Sequence, residues 1–60
     1  MTTLKILLVD DHLVVRAGVR RLLETLPSTH IIEAATGPET LAAFRGENPD
    51  VVLLDLNLQG

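Results

Sequence analysis

ILLVDDHLVVRAG, residues 6–18, is the stretch of sequence that decides the fold. Four apolar residues lead directly into Asp10 and Asp11, and the apolar residues that follow have helical spacing. A short continuous apolar run is typical of a strand that is buried on both faces of a parallel sheet. Two adjacent carboxylates at the end of such a strand repel each other unless a cationic group neutralises them. The stretch therefore predicts a buried strand, an acidic turn and a helix.

The composition limits what a chain of this kind can do. Sixty residues allow one small domain, which buries only ~60% of its unfolded surface. A hydrophobic fraction of 47% is enough for a core, and a net charge of −3 offers no basic surface for DNA. The absence of cysteine excludes disulfides and fits a reducing compartment, and no apolar run suits a signal peptide or a membrane span. We expect a cytoplasmic domain without membrane contact.

Outward from residues 6–18, the apolar and turn patterns predict five elements in the order β-α-β-α-β. Connections of helical length between the strands favour a parallel sheet with right-handed crossovers, which is an α/β, doubly wound architecture. Thr36 is the predicted N-cap of the second helix, with Glu39 completing a capping box and Pro38 in the first turn. The predicted elements are strands at Leu4–Val9, His30–Ala35 and Val51–Leu54, a helix from Leu13 to the Pro27-Ser28 break, and a helix from Thr36 to Gly46.

The first helix has an apolar stripe that is predicted to face the sheet. Its other side is predicted to carry charged residues away from the sheet. Gly18 is unfavourable inside a helix, so we expect another element to pack closely against it. The stripe comprises Val15, Val19, Leu22, Leu23 and Leu26, and the charged residues are Arg16, Arg20, Arg21 and Glu24.

Carboxylates follow both the first and the third predicted strand. Asp10 and Asp11 follow the first and Asp55 the third, so all three meet at one sheet edge if these strands are neighbours. An oxygen-rich anionic cluster selects a hard divalent cation, with Mg²⁺ favoured over Ca²⁺ where phosphate chemistry is involved. Each Asp alone could be an ordinary cap or loop residue, but the combination of both strand ends favours a metal-binding pocket.

Such a pocket could hold a structural metal, activate a water molecule, or bring a phosphoryl group to a carboxylate nucleophile. Attack of a carboxylate on phosphorus needs a cation, because two anions must approach each other. Asp55 stands alone at its strand end and is the natural nucleophile, whereas Asp10 and Asp11 are the natural ligand pair.

The segments ILLVDDHLVVRAGVRRLLE, EAATGPETL and PDVVLLDLNLQG resemble the receiver domains of bacterial two-component response regulators. The DDH sequence before VVRAGVRRLLE, together with DLNL, is similar to the NarL/FixJ group of regulators with a LuxR-type helix-turn-helix. The resemblance implies a flavodoxin-like receiver fold. It implies that Asp55 accepts a phosphoryl group from a sensor histidine kinase or a phosphotransfer domain. It also implies that Asp10, Asp11, Asp55 and the backbone carbonyl of Asn57 bind Mg²⁺.

The resemblance also has implications for the partners of the chain and for the part of a receiver that residues 1–60 contain. The first helix, with Val14 and Arg16, would contribute to the kinase-docking face, and DNA would be contacted only through an output domain that residues 1–60 do not contain. A complete receiver is about twice this length, and its conserved Ser/Thr and Lys would lie beyond Gly60. We therefore expect residues 1–60 to be the N-terminal half of a receiver, or to self-associate through the apolar edge of the third strand.

Three other residues have predicted roles, and a fourth departs from the family pattern. His12 is expected to have a structural or tuning role rather than to donate phosphoryl groups, since Mg²⁺ prefers oxygen ligands. His30 is expected at a solvent-exposed edge. Lys5 is expected at the start of the first strand, far from the acidic residues, so it cannot be the active-site lysine of the family. Gln59 replaces the proline that the family usually has there.

The sequence bears on three alternative functions, of which two lack a residue pattern that they usually have. An aspartate-nucleophile phosphohydrolase usually has Asp two residues after its nucleophile, where this chain has Asn57. A nucleotide-binding domain needs a glycine-rich turn after the first strand, and none is present. A receiver-like module that is not phosphorylated and acts through oligomerisation is the main alternative. The prediction is a phosphoacceptor with at most self-catalysed phosphorylation and dephosphorylation, and not an enzyme.

Overall fold

A computed structural model describes residues 3–55, in which the predicted order of five elements is confirmed. The second strand begins and ends one residue earlier than predicted, and the second helix extends one residue further. Within residues 3–55, no helix is long and apolar enough to cross a membrane. The elements are β1 (Leu4–Val9), α1 (Leu13–Leu23), β2 (Thr29–Ala34), α2 (Gly37–Glu47) and β3 (Val51–Leu54).

The three strands form one parallel sheet in the order β2-β1-β3. Val9 at the end of β1 is level with Ala34 of β2 and Leu54 of β3, so all three strands end at the same edge. Two hydrogen bonds continue the ladder past the strand ends, from Asp10 N–H to the Ala34 carbonyl (3.1 Å) and from Asp55 N–H to the Val9 carbonyl (2.9 Å). The expectation that the first and third strands are neighbours is confirmed.

The core is built around β1, as expected for a central strand with both faces covered. Leu7 and Val9 are fully buried, and Ile6 and Leu8 are 3% and 4% exposed. Leu7 and Val9 pack with Ala34 on the face that α2 covers, where Ala43 joins them. Because successive side chains of a strand point to opposite faces, Leu8 and its neighbours point toward α1. This two-sided burial is the reason why the apolar run of β1 does not alternate.

The orientation of α1 agrees with the prediction only in part, since Val19 and Leu23 of the apolar stripe are half-buried. Val15 and Leu22 of the predicted apolar stripe are 54% and 71% exposed, whereas the side chain of Arg16 is only 18% exposed. Both Arg16 and Arg20 form ion pairs with Glu33 of β2. The two arginines therefore turn toward the sheet, where their charged groups reach the Glu33 carboxylate.

Two further predictions for α1 are wrong. A side chain added at Gly18 would meet nothing within 4 Å among the described residues, so no element packs closely there. The helix ends at Leu23 rather than at Pro27. The reason is Thr25, because its N–H and its Oγ1 both donate to the carbonyl of Leu22, at 3.2 and 2.6 Å. These bonds tighten the last turn and take the place of the regular helical hydrogen bonds before Pro27.

The predicted N-cap of α2 is confirmed. Thr36 Oγ1 accepts a hydrogen bond from Glu39 N–H (3.2 Å), and Glu39 Oε1 accepts one from the N–H of Ala35 (2.9 Å). The reciprocal bond thus goes to the residue before the cap rather than to Thr36 itself. At the other end, Asn48 takes a left-handed conformation (φ 51°). This ends the helix at Glu47, one residue later than the predicted end at Gly46.

Replacing Thr36 by Ala is expected to lower the free energy of unfolding by about 1 kcal/mol, because the N–H of Glu39 loses its partner. Thr36→Ser is the matched control, since it keeps the hydroxyl and is expected to retain most of the stability. Chemical denaturation followed by circular dichroism measures both. Equal losses in the two variants would show that the methyl group, and not the cap, stabilises this helix end.

Candidate functional site

The three predicted carboxylates come together at the edge of the sheet where the strands end. Asp10 follows β1 directly and is 5% exposed, and Asp11 is the next residue. Asp55 follows β3, and its backbone N–H bonds to Val9, so the neighbouring strand ends bring it beside Asp10. The structure therefore unites residues that are 45 positions apart in the chain, as the strand order requires.

His12 lies at the centre of this acidic group. Its Nδ1 is 3.2 Å from Asp10 Oδ1, 2.9 Å from Asp11 Oδ1 and 3.4 Å from Asp55 Oδ2. One ligand atom from each of these four residues lies within 4.8 Å of the others. The three carboxylates converge on one nitrogen. This arrangement reduces the repulsion between the carboxylates, because a protonated imidazole neutralises part of their charge.

The turn between β1 and α1 fixes this arrangement locally. Asp10 Oδ1 accepts a hydrogen bond from His12 N–H (2.8 Å), which is an Asx turn. The side chain of Asp10 therefore bonds to the turn while its backbone N–H bonds to β2. His12 is also the N-cap residue of α1 in extended conformation, and its ring bends back over the carboxylates. The sequence predicts His12 at the start of the helix but does not indicate that its ring lies among the acidic side chains.

The environment of His12 raises the pKa of its imidazole above the ordinary value of 6.5. The largest cause is the hydrogen bond to Asp10, followed by the negative charge of Asp11, and Asp55 contributes a further hydrogen bond. Because the folded pKa lies above the unfolded one, the resulting stabilisation is fully present below the unfolded value. It is lost as the pH rises through the folded value.

We expect a nuclear magnetic resonance titration of the metal-free chain to give a His12 pKa above 6.5. Asp10→Asn should lower this pKa toward the ordinary value, because it removes both the charged acceptor and one of the surrounding charges. Asp50→Asn is a suitable control, since Asp50 precedes β3 at the opposite end of the sheet. A His12 pKa that does not respond to Asp10→Asn would contradict the geometry described here.

Other predicted positions lie apart from this group. Lys5 is at the start of β1, where its Nζ donates to the carbonyl of Glu47 (3.0 Å), so the prediction that it is distant from the acidic residues is confirmed. His30 is exposed on β2, as expected. Asn57 and Gln59 lie outside the described residues, so the proposed carbonyl ligand of Asn57 stays a prediction.

The donor set fits a hard divalent cation. Carboxylate oxygens are the preferred protein ligands of Mg²⁺, and three of them converge here at the end of a rigid sheet. The His12 nitrogen is the weaker ligand for such an ion, and its ring is 59% exposed, so it has room to move aside. Asp10, Asp11 and Asp55 are therefore the residues that would hold the ion.

Comparisons with known proteins identify relatives of the chain. The family model described as "Response regulator receiver domain" matches residues 6–60. The chain is 41% identical over 58 residues to the response regulator UvrY of Escherichia coli, and 40% identical over 60 residues to the nitrate/nitrite response regulator protein NarP of Escherichia coli. These alignments cover 95% and 98% of the chain but only 27% and 28% of the relatives.

A solved structure shows the same architecture. The crystal structure of a LuxR-family two-component response regulator from Aurantimonas sp. matches with a TM-score of 0.88 and 45% identity. The match covers 98% of this chain and 43% of that one. The α/β class and the flavodoxin-like receiver topology predicted from the sequence are confirmed, with three parallel strands and two helices present in the described residues.

Proposed function

Because the chain belongs to the response regulator receiver domain family, we propose that it accepts a phosphoryl group on Asp55 in two-component signal transduction. The convergence of Asp10, Asp11 and Asp55 at the ends of two neighbouring strands is the observation that supports this proposal. The proposed donor is a phosphohistidine on a sensor histidine kinase or a phosphotransfer domain. Receiver domains are signalling phosphoacceptors rather than classical enzymes, and the chain shares this class.

In the proposed step, a carboxylate oxygen of Asp55 forms a bond to the phosphorus atom. The bond from phosphorus to the donor imidazole nitrogen breaks, and its electron pair stays with the imidazole. The product is an acyl phosphate on Asp55. The side chain of Asp55 is 20% exposed and borders an open cavity of about 250 Å³, which gives a donor access to the carboxylate.

The remaining carboxylates have the supporting role. We propose that Asp10 and Asp11 hold Mg²⁺ together with Asp55 and the backbone carbonyl of Asn57. When bound, Mg²⁺ supplies positive charge that reduces the repulsion between the carboxylate and the phosphoryl oxygens. Asp10 is suited to this role because its backbone and side chain are both held by hydrogen bonds, which limits its movement.

The wider context of the protein is also a proposal. The chain spans about a quarter of the length of the curated relatives, which include response regulators of the NarP and NarL type. We propose that it acts in the cytoplasm, within a regulator whose output domain binds DNA and controls transcription. In this setting, phosphorylation of Asp55 would be the signal that reaches the output domain.

A second candidate function is association without phosphorylation. All four residues of β3 are exposed, by 38% to 55%, although they are apolar and lie at the edge of the described sheet. Exposed apolar edge strands pair readily with other chains. Sedimentation at increasing protein concentration tests this candidate, and a monomer throughout the range would eliminate it.

Exposure to acetyl phosphate, a small acyl phosphate donor, tests the proposed function. With Mg²⁺ present, we expect mass spectrometry to detect one phosphoryl group per chain, in a linkage that hydroxylamine cleaves. With a chelator, labelling should fall by more than about 100-fold, because the phosphoryl charge is no longer compensated. Labelling that is independent of Mg²⁺ would refute the role given to the acidic group.

A further inference from the structure

The guanidinium group of Arg16 connects the acidic turn to β2. Its Nη1 donates a hydrogen bond to the backbone carbonyl of Asp10 at 3.1 Å, and its Nε lies 2.9 Å from Glu33 Oε1. The side chains of Arg16 and Glu33 are 18% and 29% exposed, so this connection is partly shielded from solvent. Arg20 also pairs with Glu33 and holds the carboxylate from its other oxygen.

We infer that Arg16 is a positioning residue for the acidic site, an inference that rests on the proposed function. Arg16 acts on the site through the main chain of Asp10, whose carbonyl accepts the hydrogen bond from Nη1. By fixing that carbonyl relative to Glu33, it holds the peptide from which the carboxylates of Asp10 and Asp11 project. The metal-binding geometry is thereby set by an ion pair between α1 and β2.

The main chain of Arg16 also contacts the turn, through the first helical hydrogen bond of α1. Its N–H donates to the carbonyl of His12 (2.8 Å), so one residue bonds to both the beginning and the end of the turn. The turn itself contains the hydrogen bond from His12 N–H to Asp10 Oδ1. Arginine is suited to this position because one nitrogen of its planar guanidinium donates to the Asp10 carbonyl while its charge pairs with Glu33, a geometry that a lysine ammonium does not reproduce.

An electrostatic role and a positioning role of Arg16 predict opposite changes in Mg²⁺ affinity when Arg16 is replaced. A cation beside the acidic group repels Mg²⁺, so removing its charge would strengthen metal binding if charge were the only effect. Removing a residue that orients metal ligands weakens binding instead, as found for residues that hydrogen-bond to ligands in other metal sites. A rise or a fall in Mg²⁺ affinity when Arg16 is replaced therefore distinguishes a purely electrostatic effect from a positioning role.

Titration of the chain with Mg²⁺, followed by amide resonances in nuclear magnetic resonance spectra, tests the inference. The chain has no Trp or Tyr, so fluorescence is unsuitable. We expect Arg16→Ala to weaken Mg²⁺ binding about tenfold. Arg21→Ala is the matched control, because Arg21 is an exposed residue of the same helix and the same charge is lost. That variant should bind Mg²⁺ as tightly as the unaltered chain or slightly more tightly.

Arg16→Lys keeps the charge and removes only the planar guanidinium group. This variant therefore tests the positioning role if Arg16→Ala does not fold. We expect Arg16→Lys to weaken Mg²⁺ binding as well. We also expect it to shift the His12 amide resonance in metal-free protein, and Arg21→Ala should leave that resonance unchanged. Unchanged Mg²⁺ affinity in Arg16→Lys would overturn the inference. If Asp10→Asn also left Mg²⁺ affinity unchanged, the proposed function itself would be wrong.

Discussion

Replacing Asp55 by Asn is expected to abolish phosphoryl labelling by acetyl phosphate, leaving less than about 1% of the original signal, because the amide lacks the nucleophilic oxygen. The exchange is nearly isosteric, and the backbone N–H of Asp55 that bonds to Val9 is retained. The fold should therefore persist, and the loss should reflect chemistry. Intact-mass measurement after equal exposure to the donor gives the labelled fraction directly.

Asp50→Asn is the matched control for this experiment. It removes the same charge from the other end of β3, where Asp50 Oδ2 accepts a hydrogen bond from the N–H of Lys5 (2.8 Å). We expect this variant to be labelled like the unaltered chain. Equal labelling of Asp55→Asn and Asp50→Asn would show that Asp55 is not the acceptor, and peptide mapping would then locate the residue that is.

Replacing Leu7 by Ala is expected to unfold much of the population. Leu7 is fully buried at the centre of β1, and truncation of a buried leucine lowers stability by about 2–5 kcal/mol. A chain of 60 residues has about 3–9 kcal/mol of stability in total, so this loss removes most of it. Thermal unfolding followed by circular dichroism should show a large fall in the midpoint or no cooperative transition.

Leu22→Ala separates burial from hydrophobicity as the cause. Leu22 is the same residue type, but it lies on α1 with 71% of its surface exposed. Its truncation is expected to change stability by less than about 0.5 kcal/mol. If Leu22→Ala were as destabilising as Leu7→Ala, the exposed side of α1 would have to be buried in solution.

Prediction from sequence succeeded where local patterns and topology act together. The four consecutive apolar residues 6–9 of β1 predicted a strand buried on both faces, and Leu7 and Val9 are fully buried. The carboxylates at two strand ends predicted an acidic site, since parallel neighbouring strands end at one edge. The cap at Thr36 was also predictable, because its hydrogen bonds involve residues that are close in sequence.

Prediction failed where the rotation or the end of a helix depends on particular contacts. A helical period shows which residues share a side of α1, but not which side faces the sheet when arginines can reach a carboxylate there. The signal that could have indicated this was Glu33 within β2, together with two arginines four residues apart. The early end of α1 at Leu23 involves a hydrogen bond from the Thr25 hydroxyl that competes with the helix.

The sequence by itself determined the order of the elements and the positions of three carboxylates relative to the strand ends. These follow from apolar periodicity and from the geometry of parallel sheets, which depend on residue type and spacing alone. Only the tertiary structure decided that the His12 ring lies among the carboxylates and that Arg16 connects Asp10 to Glu33. The contact of His12 with Asp55 and that of Arg16 with Glu33 join different elements, so they form only when these elements have packed together.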